Sequence, residues 1–172
     1  IKQGLHSLSF KERYRLKRMT KKDILYTLGL ILFWFTTFIL INGITGSFLV
    51  RPEYLQYDDS TWFNLTIEGN YFIAIFSILF LILNVYGEEL FWRGYMMPRL
   101  EKEYGKNAWK VNGILWALFH IPVFYVMPAI APGAILLVYL VQKQKNTNIG
   151  VIGHFFLNGA ELIPLILLVF SL

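Results

Sequence analysis

The feature that most constrains this chain is a long apolar run that ends in two adjacent acids. No side chain is charged from Tyr71 to Tyr86, and Glu88 and Glu89 follow directly. Such a run is typical of a membrane-spanning helix, since about 20 apolar residues cross a hydrocarbon core of about 30 Å. An ionisable side chain at that depth costs about 2.5–3.5 kcal/mol on insertion scales and usually marks a functional site. The sequence therefore predicts a functional site at the end of this helix, around Glu88 and Glu89.

The composition also favours a membrane protein. The 172 residues are 56% hydrophobic with a mean hydropathy of +0.50, more apolar than is usual for a soluble domain. Half of the sixteen Lys and Arg residues lie before Ile24. A basic flank ahead of an apolar span predicts a cytoplasmic N-terminus and contact with anionic lipids, so the net charge of +5 does not call for nucleic acid. The absence of Cys excludes disulfides and thiolate chemistry.

The order of apolar and polar segments predicts an all-α fold with three parts. We expect a basic cytoplasmic arm or interfacial helix at 1–23, a first span and outer loop at 24–69, and a core at 70–172. The architecture is a polytopic bundle of about five spans, with an intramembrane polar cavity open to the cytoplasmic side. The small, lysine-rich composition indicates a bacterial plasma membrane. Because the chain begins at Ile1 rather than Met, we also expect an upstream segment.

The predicted spans and their breaks follow from apolar runs and prolines. We expect Pro98 to end the second span, and Pro128 and Pro132 to form a short turn. The expected helices are 24–50, 70–97, 108–126, a brief segment at 133–141, and 149–172.

Helical phase divides the polar residues of the second span into two groups. Asn84 and Glu88 share one face, whereas Glu89 and Arg93 form a separate pair four residues apart. This phase predicts that Glu88 points towards the two histidines of the later spans, His120 and His154. On the last span His154, Asn158 and Glu161 share a face; Glu161 receives no role.

The depth of these residues suggests one polar cluster. At 1.5 Å per residue, His120 lies about 15 Å from Lys110, Glu88 about 15 Å from Pro98, and His154 about 9 Å from Asn148. The three reference positions all lie on the basic side. Taken singly, a membrane His or Asn more often serves helix packing, Trp116 more often fills a core, and Glu89 with Arg93 is a structural pair. Their convergence at one depth favours a function.

Three motifs in this region resemble those of a known family. Glu88-Glu89-x-x-x-Arg93, Trp116-x-x-x-His120 and His154-x-x-x-Asn158 are similar to the motifs of the CPBP (Abi) family, which includes CAAX prenyl endopeptidases and lysostaphin resistance protein A-like proteins tied to bacteriocin self-immunity. The resemblance covers residues 84–159. The second motif of that family usually begins with Phe, and here an aromatic residue is kept.

The resemblance implies an intramembrane endopeptidase that acts on a membrane-associated or lipidated peptide or protein. By it, Glu88 and His120 activate a water molecule, and His154 with Asn158 stabilises the oxyanion. Glu89 and Arg93 give structural support. Oxyanion donors are worth most where water is excluded, which suits a site inside a membrane.

The sequence leaves three alternatives open. A zinc-dependent peptidase would use Glu88, His120 and His154 as ligands and Glu89 as base, although no HExxH motif is present and we favour metal-free chemistry. A non-enzymatic immunity or scaffold protein would use the same core for binding. A proton or solute transporter is less favoured, because the sequence shows no inverted repeat.

Overall fold

Helices make up nearly all of the computed structural model, which describes residues 9–45, 61–62, 65–121 and 127–171. Its α-helices are α1 Phe10–Arg13, α2 Lys21–Thr45, α3 Tyr71–Glu89, α4 Met97–Tyr104, α5 Ala108–Phe119, α6 Met127–Gln144 and α7 Thr147–Val169. A π-helical segment, Leu90–Met96, joins α3 to α4, and the 3-10 turn Gly105–Asn107 joins α4 to α5. A short antiparallel hairpin pairs β1 Thr61–Trp62 with β2 Leu65–Thr66. The all-α prediction is confirmed, with this hairpin as an addition.

The expectation of about five spans is not confirmed. Two stretches are long and apolar enough to cross a membrane, Lys21–Ile41 and Tyr71–Phe119. A third is possible if Thr147–Ala160 and Leu162–Val169, which meet at 46°, form one bent span. By itself α5 is only about 18 Å long, shorter than a hydrocarbon core. The expected end of the third span at 122–126 and the first span's end at 46–50 lie outside the described residues.

The prolines do not break the helices where the sequence suggests. The helical path continues past Met97, and Pro98 lies in the first turn of α4 rather than ending a span. Pro128 and Pro132 both lie within α6, so the predicted turn is wrong. Pro128 lies in the first turn of α6, where it removes only an N–H that has no helical partner. Pro164 lies inside α7 and lacks the N–H that would otherwise bond to the Ala160 carbonyl, close to the place where α7 bends.

The core forms where α2 packs against α6 and α7, and α3 against α7. Two glycines allow this close approach. A Cβ on Gly133 would overlap the buried ring of Trp34, and one on Gly153 would lie 2.8 Å from a methyl group of the buried Leu30. Both α6 and the motif-bearing α7 are therefore held against α2 by contact between a glycine backbone and a buried side chain.

The described part of the basic N-terminal segment is tied to the ends of several helices. Both terminal nitrogens of the Arg15 guanidinium donate to the carboxylate of Glu101 on α4, at 3.0 and 2.7 Å, and Lys145 lies 2.6 Å from the same carboxylate. Thr147, at the start of α7, donates from its backbone N–H to the Arg15 carbonyl and from its hydroxyl to the Tyr14 carbonyl. This segment is tied to the fold from Tyr14 onward, whereas residues 9–13 are exposed.

Candidate active site

The site begins at the junction of α3 and the π-helical segment. Glu88 and Glu89 form the last turn of α3, and Arg93 and Gly94 lie within the π-helical segment. Such segments are rare in proteins as a whole, but those that occur are often at functional sites. The extra residue in the turn changes the direction of the side chains that follow. Gly94 packs beneath Tyr14, whose ring carbon Cδ1 would lie 2.7 Å from a Cβ placed there.

Glu89 lies at the centre of a buried group of ionisable side chains. Its Oε1 is 3.2 Å from Nη1 of Arg93 and 3.1 Å from Nδ1 of His154, and all three side chains are at most 5% exposed. The other oxygen of Glu89 lies against Gly150 of α7, where a Cβ would overlap it. The expected Glu89–Arg93 ion pair is present, and it extends across to α7.

The hydrogen bonding of this buried group is incomplete. Among the described residues, Oε2 of Glu89 and both Nε and Nη1 of Arg93 have no hydrogen-bond partner. Nη1 is within ion-pair distance of Glu89 but is not aligned for a hydrogen bond. The two charges therefore attract each other, but the hydrogen-bonding capacity of the buried guanidinium is not satisfied. Buried polar atoms of this kind are normally satisfied by ordered water or by a ligand.

Glu88 belongs to a second group, with Trp116 and His120. The indole Nε1–H of Trp116 donates to Oε2 of Glu88 at 2.9 Å, and Nε2 of His120 lies 3.8 Å from that same oxygen. Nδ1 of His120 lies 2.8 Å from the carbonyl oxygen of Trp116. A carbonyl only accepts, so Nδ1 carries the proton and Nε2 of the neutral ring is an acceptor facing Glu88.

The ring of Trp116 connects the two groups. Its centroid lies 4.0 Å from the His120 ring and 6.3 Å from the His154 ring, and the Arg93 guanidinium lies 5.2 Å above it. The last contact is a cation–π interaction, which stabilises a buried guanidinium. From the sequence, Trp116 is expected to serve packing, and its place in the second motif predicts no hydrogen bond to Glu88. Its donation to Glu88 could have been suspected from its spacing, one helical turn before His120.

The structure corrects one expected neighbour. It brings Glu88 to His120, but His154 contacts Glu89 rather than Glu88. The reason is the rotation of about 100° between successive helical residues, which turns Glu89 towards α7 where α3 and α7 pack together.

The asparagines stand apart from these contacts. Asn158 is half-buried one turn beyond His154, and its side chain has no hydrogen-bond partner within the ranges described; the same holds for Asn84. Glu161 lies in the α7 backbone, but its side chain is outside what the structure describes.

The described residues do not bring the three suggested zinc ligands together. Within the described residues, no three His, Cys, Asp or Glu side chains are placed to hold a metal ion. Of the three ligands that the sequence suggests, Glu88 and His120 adjoin, whereas His154 contacts Glu89 through Nδ1 instead of approaching Glu88. The site consists of two acid–imidazole pairs, Glu88 with His120 and Glu89 with His154, whose imidazoles both lie near the Trp116 ring.

A comparison with protein families assigns the chain. The family model described as type II CAAX prenyl endopeptidase Rce1-like matches residues 70–160, more than half of the chain. The chain belongs to this family. The matched range contains all three motifs from Glu88 to Asn158, and the predicted relationship to CAAX prenyl endopeptidases is confirmed. No curated protein and no solved structure matches the chain. Family membership and the apolar helices agree in indicating a membrane protease.

Proposed function

We propose that this protein is an intramembrane endopeptidase in which Glu88 and His120 together activate a water molecule. The observation that carries the proposal is the 3.8 Å gap between Oε2 of Glu88 and Nε2 of His120. That distance is too long for a direct hydrogen bond and suits a bridging water. Both atoms are acceptors, so the water would donate one hydrogen to each and keep its lone pairs for the substrate.

The hydrolysis then follows from these two acceptors. The water oxygen attacks the carbonyl carbon of the scissile bond while one of its protons passes to the Glu88–His120 pair. The pair returns that proton to the amide nitrogen as the carbon–nitrogen bond breaks, which gives a carboxylic acid and an amine, and the acid then loses its remaining proton to water. Trp116 positions the reacting carboxylate through its Nε1–H bond.

His154 and Asn158 are the proposed stabilisers of the oxyanion. Glu89 fixes the His154 ring through Nδ1, which leaves Nε2 free to donate, in the protonated form of the ring, to the oxygen of the tetrahedral intermediate. Asn158 follows one turn later on the same helix, and its amide has no competing partner among the described residues. Glu89 and Arg93 act as positioning residues.

The substrate class and orientation are parts of the same proposal. The substrate is a membrane-associated or lipidated peptide or protein, in line with the name of the family. We place the basic end of the molecule at the cytoplasmic face of a bacterial plasma membrane, because a basic flank favours that side. The polar site would then be reached from the cytoplasm.

The test is cleavage of a prenylated peptide by the purified protein in lipid nanodiscs. Glu88→Gln and His120→Ala should each lower kcat at least about 100-fold, the usual contribution of a general base. Glu103→Gln is the matched control, since Glu103 is an exposed acid on α4. Undiminished cleavage by Glu88→Gln would refute the mechanism. Specific binding of the peptide by the parent protein without turnover would favour a non-enzymatic immunity or scaffold protein.

A further inference from the structure

Two hollows lie end to end along the contact between α5 and α6. The first, of about 340 Å³, runs along the apolar sides of both helices, and the second, of about 450 Å³, lies where α5 begins and α6 ends. Trp109 forms part of the wall of both. We call the first hollow the apolar compartment and the second the polar compartment.

The first hollow is lined almost entirely by apolar side chains. Its α6 wall extends from Met127 to Val138, roughly 16 Å along the helix axis. Ile114 and Ile135, at its edge, are 62% and 52% exposed, so the hollow opens sideways to the surroundings of the helices. Its volume is within the range of about 300–1,000 Å³ that is typical of small-molecule sites. An aliphatic chain could enter it from the bilayer.

The second hollow is cationic and has aromatic walls. It is lined by Lys106, Lys143 and Lys145 against a single acid, Glu101, which already accepts from Arg15. Lys106 has no ion pair within the described ranges. The ammonium of Lys143 lies 5.4 Å from the ring of Tyr139, which meets Trp109 edge to face at 5.6 Å. Positive charge is therefore in excess in this hollow.

The wall between the hollows is firmly built. Gln142 accepts from the backbone N–H of Trp109 at 2.7 Å and donates to the Gly105 carbonyl at 2.8 Å. These two bonds join the end of α6 to the start of α5. Trp and Tyr at such a position are typical of the membrane interface, where an apolar layer meets lipid head groups.

We infer that the α5–α6 hollows bind an anionic phospholipid, with one acyl chain in the apolar compartment and the phosphate among Lys106, Lys143 and Lys145. Basic hollows between helices at the cytoplasmic side are suited to anionic head groups, and each lysine near the phosphate favours binding about fivefold. The inference does not depend on the proposed peptidase activity. The apolar compartment adjoins the candidate active site, because Trp116, whose Nε1–H donates to Glu88, also lines this compartment.

The test uses phosphatidylglycerol and phosphatidylcholine with brominated acyl chains, added to the full chain in detergent micelles. Bromine quenches nearby tryptophans, and Trp109 and Trp116 line the hollows. We expect brominated phosphatidylglycerol to reach half-maximal quenching at a concentration at least about fivefold lower than brominated phosphatidylcholine. The double variant Lys106→Ala/Lys143→Ala should remove this preference, and Ala117→Phe, which fills the apolar compartment, should weaken both lipids.

The control variant is Lys21→Ala, because Lys21 is an exposed lysine that does not line either hollow. It should keep the preference for phosphatidylglycerol. Equal quenching by the two lipids, or a preference that survives in the double variant, would overturn the inference. Displacement of the lipid by a prenylated peptide with no dependence on Lys106 and Lys143 would also overturn it, since the apolar compartment would then belong to the anchor of the substrate.

Discussion

Nδ1 of His154 lies 3.1 Å from Oε1 of Glu89, a contact that joins α7 to α3 across 65 residues of sequence. Glu89 is therefore more than the helical partner of Arg93. It holds the imidazole of the third motif against the helix that carries the first, and it leaves Glu88 on the neighbouring face for Trp116 and His120. The two adjacent acids have different neighbours and should respond differently to substitution.

Glu88→Gln and Glu89→Gln should separate chemistry from stability. The Glu88 variant should unfold at nearly the parent temperature, since its side chain is partly solvated, and should lose cleavage. The Glu89 variant leaves the buried guanidinium of Arg93 without its ion-pair partner, a change that typically costs about 3–5 kcal/mol. Thermal unfolding in detergent and peptide cleavage, measured on both proteins, check this. A Glu89 variant as stable as the parent would contradict it.

Gly150→Ala should disturb the buried carboxylate directly. The added Cβ would overlap Oε2 of Glu89, so we expect a loss of about 1–3 kcal/mol in stability and a clear fall in kcat. Gly87→Ala is the matched control, because no atom lies within 4 Å of a Cβ placed there. It lies within α3 and should be neutral or stabilising by up to about 1 kcal/mol. The measurements are unfolding temperature and cleavage rate.

Trp116→Phe removes the Nε1–H that donates to Glu88 and keeps an aromatic ring. A hydrogen bond to a charged group contributes about 1.5–3 kcal/mol, so kcat should fall about tenfold or more while KM changes little. Trp34→Phe serves as the comparison, because the Nε1 of Trp34 is buried without a hydrogen-bond partner in the described part. That variant should lose stability through poorer packing but keep the parent kcat. Equal effects of both substitutions on kcat would show that packing alone is at work.

Arg15→Ala should lower stability through the contact between the N-terminal segment and α4. The Arg15–Glu101 pair is bidentate but partly exposed, with 19% and 12% of the two side chains accessible, so about 1 kcal/mol is expected. Lys145 contacts the same carboxylate with 44% of its side chain exposed, and Lys145→Ala should cost less. A double-mutant cycle of Arg15 with Glu101, followed by thermal unfolding, measures the coupling. No coupling would mean that solvent screening cancels the pair.

Local patterns in the sequence were sufficient for some of these features. The Glu89–Arg93 pair follows from four-residue spacing on one helix, and the meeting of Glu88 with His120 agrees with their equal depth. The partner of His154 could not be found in this way, because helical phase gives the angle between Glu88 and Glu89 but not which neighbouring helix each one faces. That depends on the packing of α3 against α7 and on the space left by Gly150.

The number of spans was also beyond local patterns. In the sequence, a proline that ends a helix looks the same as one in the first turn of a helix. The positions of Pro98 and Pro128 within their helices could therefore not be predicted correctly. The π-helical segment from Leu90 to Met96 leaves no signal in hydropathy, yet it carries the helical path on towards α4. The positions of these prolines and the path of the helix depend on tertiary packing, which local sequence patterns do not contain.

The contact of Tyr14 with Gly94 has a practical consequence for anyone who shortens or tags this protein. Tyr14 precedes the first apolar helix and lies far outside the family match at 70–160, yet it covers the residue next to Arg93. A truncated version that starts at residue 70 would lack this cover and the Arg15–Glu101 pair, and would also lose α2 with the ring of Trp34 beneath Gly133. The smallest fragment worth purifying therefore begins upstream of Tyr14, with any affinity tag at the C-terminus.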